Sequence, residues 1–140
     1  MHGLLGFSGR LSSVSQKDKA AVAGLIAFYK QWREFIYSAV VVPLTAQGRR
    51  DDVTGWTARH AFRADYAKSL VFAYRMEDSN GAMPFRLPLL KEDKVYVVKS
   101  YEQPDMCEII NGAELIDHGL QARIPEVYGG AIYILEEVGQ

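Results

Sequence analysis

The chain has 140 residues, with Lys plus Arg at 16 and Asp plus Glu at 17, giving a formal net charge of −1. So even a balance argues against a nucleic-acid footprint or a polybasic membrane anchor. Hydrophobic residues at 49% and charged residues at 24% are globular values rather than those of a disordered chain. The length suits one domain, or a small domain plus a fragment, and it excludes a whole eight-fold β/α barrel, which needs about 250 residues.

The first residues, Met1-His2-Gly3-Leu4-Leu5-Gly6-Phe7, lack the basic start and long apolar run of a signal peptide. The longest apolar run, 20–29, is too short to span a bilayer and is flanked by Lys19 and Lys30. Ser8 sits in Gly6-Phe7-Ser8-Gly9, where the second glycine comes one residue too early for a nucleophile elbow.

A long helix is predicted over about 16–40. Val22, Leu25, Tyr29, Trp32, Ile36 and Val40 recur at spacings of three and four, which puts them on one stripe. Ser15 and Asp18 have capping-box spacing, and Pro43 ends the run. The composition changes near residue 43, where short alternating segments separated by Gly, Pro, Asn and Asp take over.

Residues 56–62 alternate, with Trp56, Ala58, His60 and Phe62 on one face, and 70–76 alternate after a turn at 63–68. The two predict a hairpin. Asp78-Ser79-Asn80-Gly81 is a turn signal. Residues 85–90 are expected as an edge strand because of Pro84 and Pro88. Residues 91–94 are a charged turn, and 95–101, 107–110, 120–124 and 131–136 are further strand candidates. Six to eight short strands at this spacing predict a mainly β protein, an antiparallel β-sandwich preceded by one long N-terminal α-helix.

Little of this carries visible chemistry. The carboxylate pairs Asp51-Asp52, Glu92-Asp93 and Glu136-Glu137 are sequence neighbours, and neighbours in a strand point to opposite faces. His2, His60 and His118 stand in no metal-ligating spacing, so no metal centre is expected. His60 reads as a hydrogen-bonded core or edge histidine, and His118 as a turn residue. Cys107, the single cysteine, can form no intrachain disulfide and reads as an inert buried thiol. That usage suits a reducing, cytoplasmic compartment. The aromatics Trp56, Tyr66, Tyr74, Tyr96 and Tyr101 are expected chiefly in the core, with sugar stacking as the alternative.

Two stretches carry a resemblance. One is Gly6-Phe7-Ser8-Gly9-Arg10-Leu11 with Ile26-Ala27-Phe28-Tyr29-Lys30-Gln31-Trp32-Arg33. The other runs from Ser69-Leu70-Val71-Phe72 through Lys94-Val95-Tyr96-Val97 and Asn111-Gly112-Ala113-Glu114-Leu115-Ile116-Asp117-His118-Gly119-Leu120 to Ile132-Tyr133-Ile134-Leu135-Glu136. In order and spacing these resemble the C-terminal end of bacterial α-galactosidases of glycoside hydrolase family 36, over essentially the whole chain.

The resemblance implies that 1–42 is the last strand-loop-helix unit of a (β/α)8 barrel and 43–140 a C-terminal sandwich domain. The strand would be 3–7 and the loop 8–15. Barrel active sites lie at the C-terminal ends of strands. It therefore implies that Phe7 and Ser8 are substrate-proximal. The family's nucleophile lies in a K-x-D-x-N-R-like motif. Lys91-Glu92-Asp93 starts as that motif does but continues Lys94-Val95. The family's acid/base aspartate follows C-x-x-G-G-x-R, whereas Cys107 is followed by Glu108-Ile109-Ile110-Asn111.

The resemblance thus implies no catalytic residue in this chain. The catalytic aspartates would lie upstream, in a barrel that is this chain's partner and that cleaves terminal α-galactosides with retention. It implies no metal and no organic cofactor. Two other readings stay open: a free-standing carbohydrate-binding module, and a small independent enzyme. If no barrel covers Leu25, Tyr29 and Trp32, self-association through that stripe is expected.

Overall fold

The computed structural model describes residues 11–47, 51, 54–65 and 67–139. The expected strand at 3–7, with Phe7 and Ser8, lies outside the described residues, as does Tyr66. The described chain divides at Ala39 and Val40 into two compact units.

The first unit is a 3-10 turn, Leu11–Ser13, followed by helix α1, Gln16–Ser38. Ser15 caps it. Its hydroxyl accepts the Asp18 N–H at 3.1 Å and donates to the Asp18 carboxylate at 2.6 Å. The buried stripe consists of Phe28, Trp32, Phe35 and Ile36. Phe28 stacks on Trp32 with centroids 5.9 Å apart, and Phe35 meets Trp32 edge-on at 5.5 Å. Of the predicted stripe, Trp32 and Ile36 are buried, while Val22, Leu25 and Tyr29 are only half-buried. Tyr29 keeps its hydroxyl at the surface, 3.0 Å from that of Tyr37. Val40 is not helical at all. The helix closes with the Ala39 N–H on the Phe35 carbonyl at 2.8 Å. The β-branched run Val40-Val41-Val42 then continues as a strand, a conformation its side chains favour.

The second unit is antiparallel β. Its strands are β1 Val40–Pro43, β2 Trp56–Phe62, β3 Lys68–Arg75, β4 Ala82–Phe85, β5 Val95–Ser100, β6 Cys107–Asn111, β7 Leu120–Arg123 and β8 Gly130–Glu137, with a short helix α2, Gly112–Asp117. Six strands form one sheet in the order β1-β2-β3-β8-β5-β6, and β4 pairs with β7 in a second, two-stranded sheet. Neither sheet closes into a barrel, so the protein is the expected mainly antiparallel β fold with one long N-terminal helix.

The core lies on one face of the large sheet. Alternation supplies Trp56 and Ala58 from β2, Val71 and Ala73 from β3, Tyr133 and Leu135 from β8, and Tyr96 and Val98 from β5. Phe85, Leu87, Leu115 and Leu120 join the same cluster. β3 is buried on both faces, with Leu70 and Phe72 as fully buried as Val71 and Ala73. That is the burial of a central strand.

Three expectations change. The strand predicted at 85–90 lies earlier, at β4, where Phe85 pairs with Leu120 and Pro84 with Gln121. A two-stranded sheet tolerates Pro84 because its missing N–H can face outward. After Phe85 the chain turns, and the Leu87 N–H goes to the Leu115 carbonyl at 3.0 Å. Cys107 is exposed, not buried, because β6 is the outermost strand. His60 is fully buried as expected, but neither ring nitrogen has a hydrogen-bond partner among the described residues. His118 caps the C-terminus of α2 and is exposed.

The stretch 111–120, part of the resemblance, has a clear structural role. Asn111 caps α2 by accepting the Glu114 N–H at 2.7 Å. A Cβ on Gly112 would stand 1.9 Å from the Lys91 carbonyl oxygen. Gly119 has φ of +89° and packs against the Phe85 backbone, 2.6 Å from where a Cβ would be. Gly112→Ala is therefore expected to destabilise the fold by about 2–4 kcal/mol, as overpacking against a fixed backbone does. Urea denaturation checks it.

Burial holds the His60 imidazole down at about 4, against an ordinary 6.5. As pH falls, the unfolded chain takes up this proton first, so folding stability is fully present above 6.5 and declines between 6.5 and 4. The loss should be on the order of 3 kcal/mol. His60→Leu should abolish that part of the acid sensitivity and also remove two unpaired nitrogens from the core. Unfolding midpoints of both proteins across this pH range test it.

Candidate functional site

The carboxylates are occupied in ways that separate them. Glu136 and Glu137 are neighbours on β8. Glu136 bridges Lys68 at 2.5 Å and Lys99 at 2.7 Å, while Glu137 meets Lys91 at 3.1 Å and Lys94 at 3.8 Å. Lys68, then Lys99, hold the Glu136 carboxyl below its ordinary value. Asp65 is gripped by the Arg63 guanidinium at 2.7 and 3.1 Å, which lowers it too. Among the described residues no group of three or more His, Cys, Asp or Glu converges as a metal site would require.

A recess instead forms at the β1 edge of the large sheet. β1 contributes Val41 and Pro43, the segment after it Thr45 and Gln47, and β2 the outward-facing Thr57 and Arg59. The volume is about 340 Å3. The local fold explains the shape. Beyond Pro43 the Leu44 N–H still reaches the Ala58 carbonyl at 2.9 Å. The Thr45 hydroxyl then takes over, accepting the Ala58 N–H at 3.3 Å and donating to the Thr57 hydroxyl at 3.4 Å. A side chain has replaced a ladder bond, so the edge steps away from β2 and leaves the groove.

The Arg59 side chain makes no hydrogen bond or ion pair with the described residues, and it lines the groove. Tyr74 is the register partner of Thr57 on the same sheet face and is 39% exposed. Its ring rests over Gly130, where an added Cβ would lie 3.2 Å from a ring carbon. Partial burial raises the phenol, Arg59 opposes that rise, and Glu102 on the other side adds to it. Glu102 is exposed as a residue, but its carboxylate accepts the Ile132 N–H at 2.8 Å. Loss of water at that carboxyl raises it, against the pull of this bond.

Of the other aromatics singled out in the sequence, Trp56 and Tyr96 are buried in the core and Tyr101 is half-buried. The Tyr96 hydroxyl accepts the Lys91 N–H at 3.0 Å. Tyr74 is thus the one of the described four that offers an exposed ring. The sequence singled out neither Arg59 nor Thr57. Alternation put both opposite Trp56, but β1 was not predicted, and without it no groove could be drawn.

No protein-family model and no curated protein matches the chain. Solved structures do share its fold. The galactosidase domain of the α-galactosidase–sucrose kinase AgaSK superposes with a TM-score of 0.71 at 21% identity, over 91% of this chain and 17% of that one. The family 36 α-galactosidase AgaA from Geobacillus stearothermophilus, in complex with raffinose, gives 0.73 at 18% identity over 91% and 17%. The α-galactosidase from Lactobacillus brevis gives 0.74 at 14% identity over 94% and 18%. The chain therefore spans less than a fifth of the length of these enzymes.

Proposed function

We propose that the chain is the C-terminal accessory portion of an α-galactosidase-like glycoside hydrolase of family 36, with a parent that cleaves terminal α-galactosides with retention. The observation that carries this is the lopsided coverage: nearly all of this chain matches a small part of several α-galactosidases. In this reading 1–42 is the last strand-loop-helix unit of the parent barrel and 43–140 the sandwich that buttresses it. Phe7 and Ser8 would lie at the barrel mouth. The compartment is cytoplasmic, in keeping with a single exposed thiol.

The chain is non-catalytic in isolation. Retaining hydrolysis needs two carboxyl groups about 5–5.5 Å apart across a cleft. Glu136 and Glu137 are instead held by separate lysine pairs, and Asp65 by Arg63. The parent's acids would lie upstream.

The purified chain is expected to release nothing from a chromogenic α-galactoside. Mixed with the polypeptide encoded immediately upstream in the same frame, it should raise that polypeptide's hydrolytic activity and its melting temperature. Hydrolysis by the chain alone, lost on changing one of its own carboxylates such as Glu102→Gln, would overturn the reading.

A further inference from the structure

We infer that the recess between β1 and β2 is a secondary sugar-binding site, which takes the neutral pyranose ring of a galactoside outside any catalytic centre. The galactosyl identity rests on the proposed function, whereas the choice of a neutral polyhydroxylated ring rests on the site itself.

Four features make the case. The volume of about 340 Å3 is at the lower end of small-molecule pockets, about 300–1,000 Å3. That suits one or two sugar rings rather than a nucleotide or a folded peptide. The wall is mixed in the way a sugar is. Val41 and Pro43 offer apolar contact to ring C–H groups, and Thr57, Gln47 and Arg59 offer donors and acceptors to hydroxyls.

The polar groups are also available. The Arg59 and Gln47 side chains spend no hydrogen bond on the described residues, and the Thr57 hydroxyl accepts from Thr45 with its own proton free to donate. A planar guanidinium can give two parallel bonds to vicinal hydroxyls. Beside them stands the exposed Tyr74 ring, an apolar surface with a hydroxyl at its tip.

Charge selects among ligands. An arginine with no ion-pair partner among the described residues would by itself favour an anion. Here Arg59 is the one charged side chain among the described residues lining the recess. The other lining side chains carry no charge, so an anion would find one cation and no second one, whereas a neutral hydroxylated ring matches the rest of the wall. Such a ring can accept from Arg59 and exchange hydrogen bonds with Thr57 and Gln47 while its C–H face meets Val41 and Pro43. The site is shallow and supplied by surface side chains, so affinity should be millimolar.

The test is titration of the isotopically labelled chain with galactose, melibiose, raffinose, galacturonate and sorbitol, followed by amide chemical shifts. The expected result is saturable, millimolar binding of melibiose and raffinose, with the largest shifts at Thr57, Arg59 and Tyr74. Sorbitol, lacking a ring, should not saturate. Arg59→Ala and Tyr74→Ala should each weaken binding about tenfold with the melting temperature unchanged within a few degrees. Cys107→Ser, on the opposite edge of the sheet, should bind as the parent does.

Absence of saturable shifts with all the sugars would overturn the inference. So would shifts that map away from the β1 edge, or galacturonate binding more tightly than galactose. These outcomes do not touch the complementation assay with the upstream polypeptide. A chain that binds sugar but fails that assay would count against the proposed function alone.

Discussion

The second unit depends on one pairing, that of β3 with β8. The two strands meet from Lys68 against Glu136 to Tyr74 against Gly130, across most of the unit's sequence. On one side hang β2 and β1, on the other β5 and β6. Taken alone, each group is a small antiparallel piece with apolar residues and too few strands for independent stability. Joining them costs loop-closure entropy, but that cost grows only slowly with loop length. The gain is large. Val71, Phe72, Ala73, Tyr133 and Leu135 all lose most or all of their exposure in this central pair.

Arg75, the last residue of β3, extends that pairing to the smaller sheet. Its guanidinium is buried and donates to the carbonyls of Asp78, Ile124 and Pro125 at 2.5–3.0 Å. It has no carboxylate partner. Three carbonyls that would otherwise lack donors are gathered by one side chain, and its charge is carried by their dipoles. The turn that leads into β4 and the exit from β7 are thereby held together. The Tyr133 hydroxyl adds a second tie by accepting the Arg123 N–H at 2.8 Å.

The groove is a consequence of where the sheet stops. β1 has a partner on one side only, and its ladder ends as Thr45 substitutes a hydroxyl for a backbone group. Thr57 and Arg59 on β2 face the resulting step and are exposed. The opposite edge behaves differently. β6 leaves Ile109 73% exposed, but beside it Lys99 and Glu136 are engaged with each other. The β1 edge differs in presenting a guanidinium, that of Arg59, with no ion-pair partner among the described residues.

Helix α1 was legible because its signals are local: a capping serine, Asp18 three residues on, and apolar spacing of three and four. Its exact buried stripe was not, because Phe28 and Phe35 pack on Trp32 and draw the buried direction toward themselves. The central strands were legible because alternation records which face is covered. The short pieces were not. β1 looked like the end of the helix run, since three consecutive valines show no alternation. α2 has only six residues, although Asn111 with Glu114 three residues later carried the spacing of a helix cap.

The amino-acid order by itself determined which residues alternate, where the long helix begins, and that the chain carries no strong charge field. Those are properties of neighbours in sequence, governed by propensity and periodicity. Only the tertiary structure decided that β3 and β8 lie side by side, that His60 is fully buried with no hydrogen-bond partner among the described residues, and that Arg59, Thr57 and Tyr74 share an open face. These depend on the register between distant strands. A register is chosen by the summed burial of whole faces, which no short stretch of sequence contains.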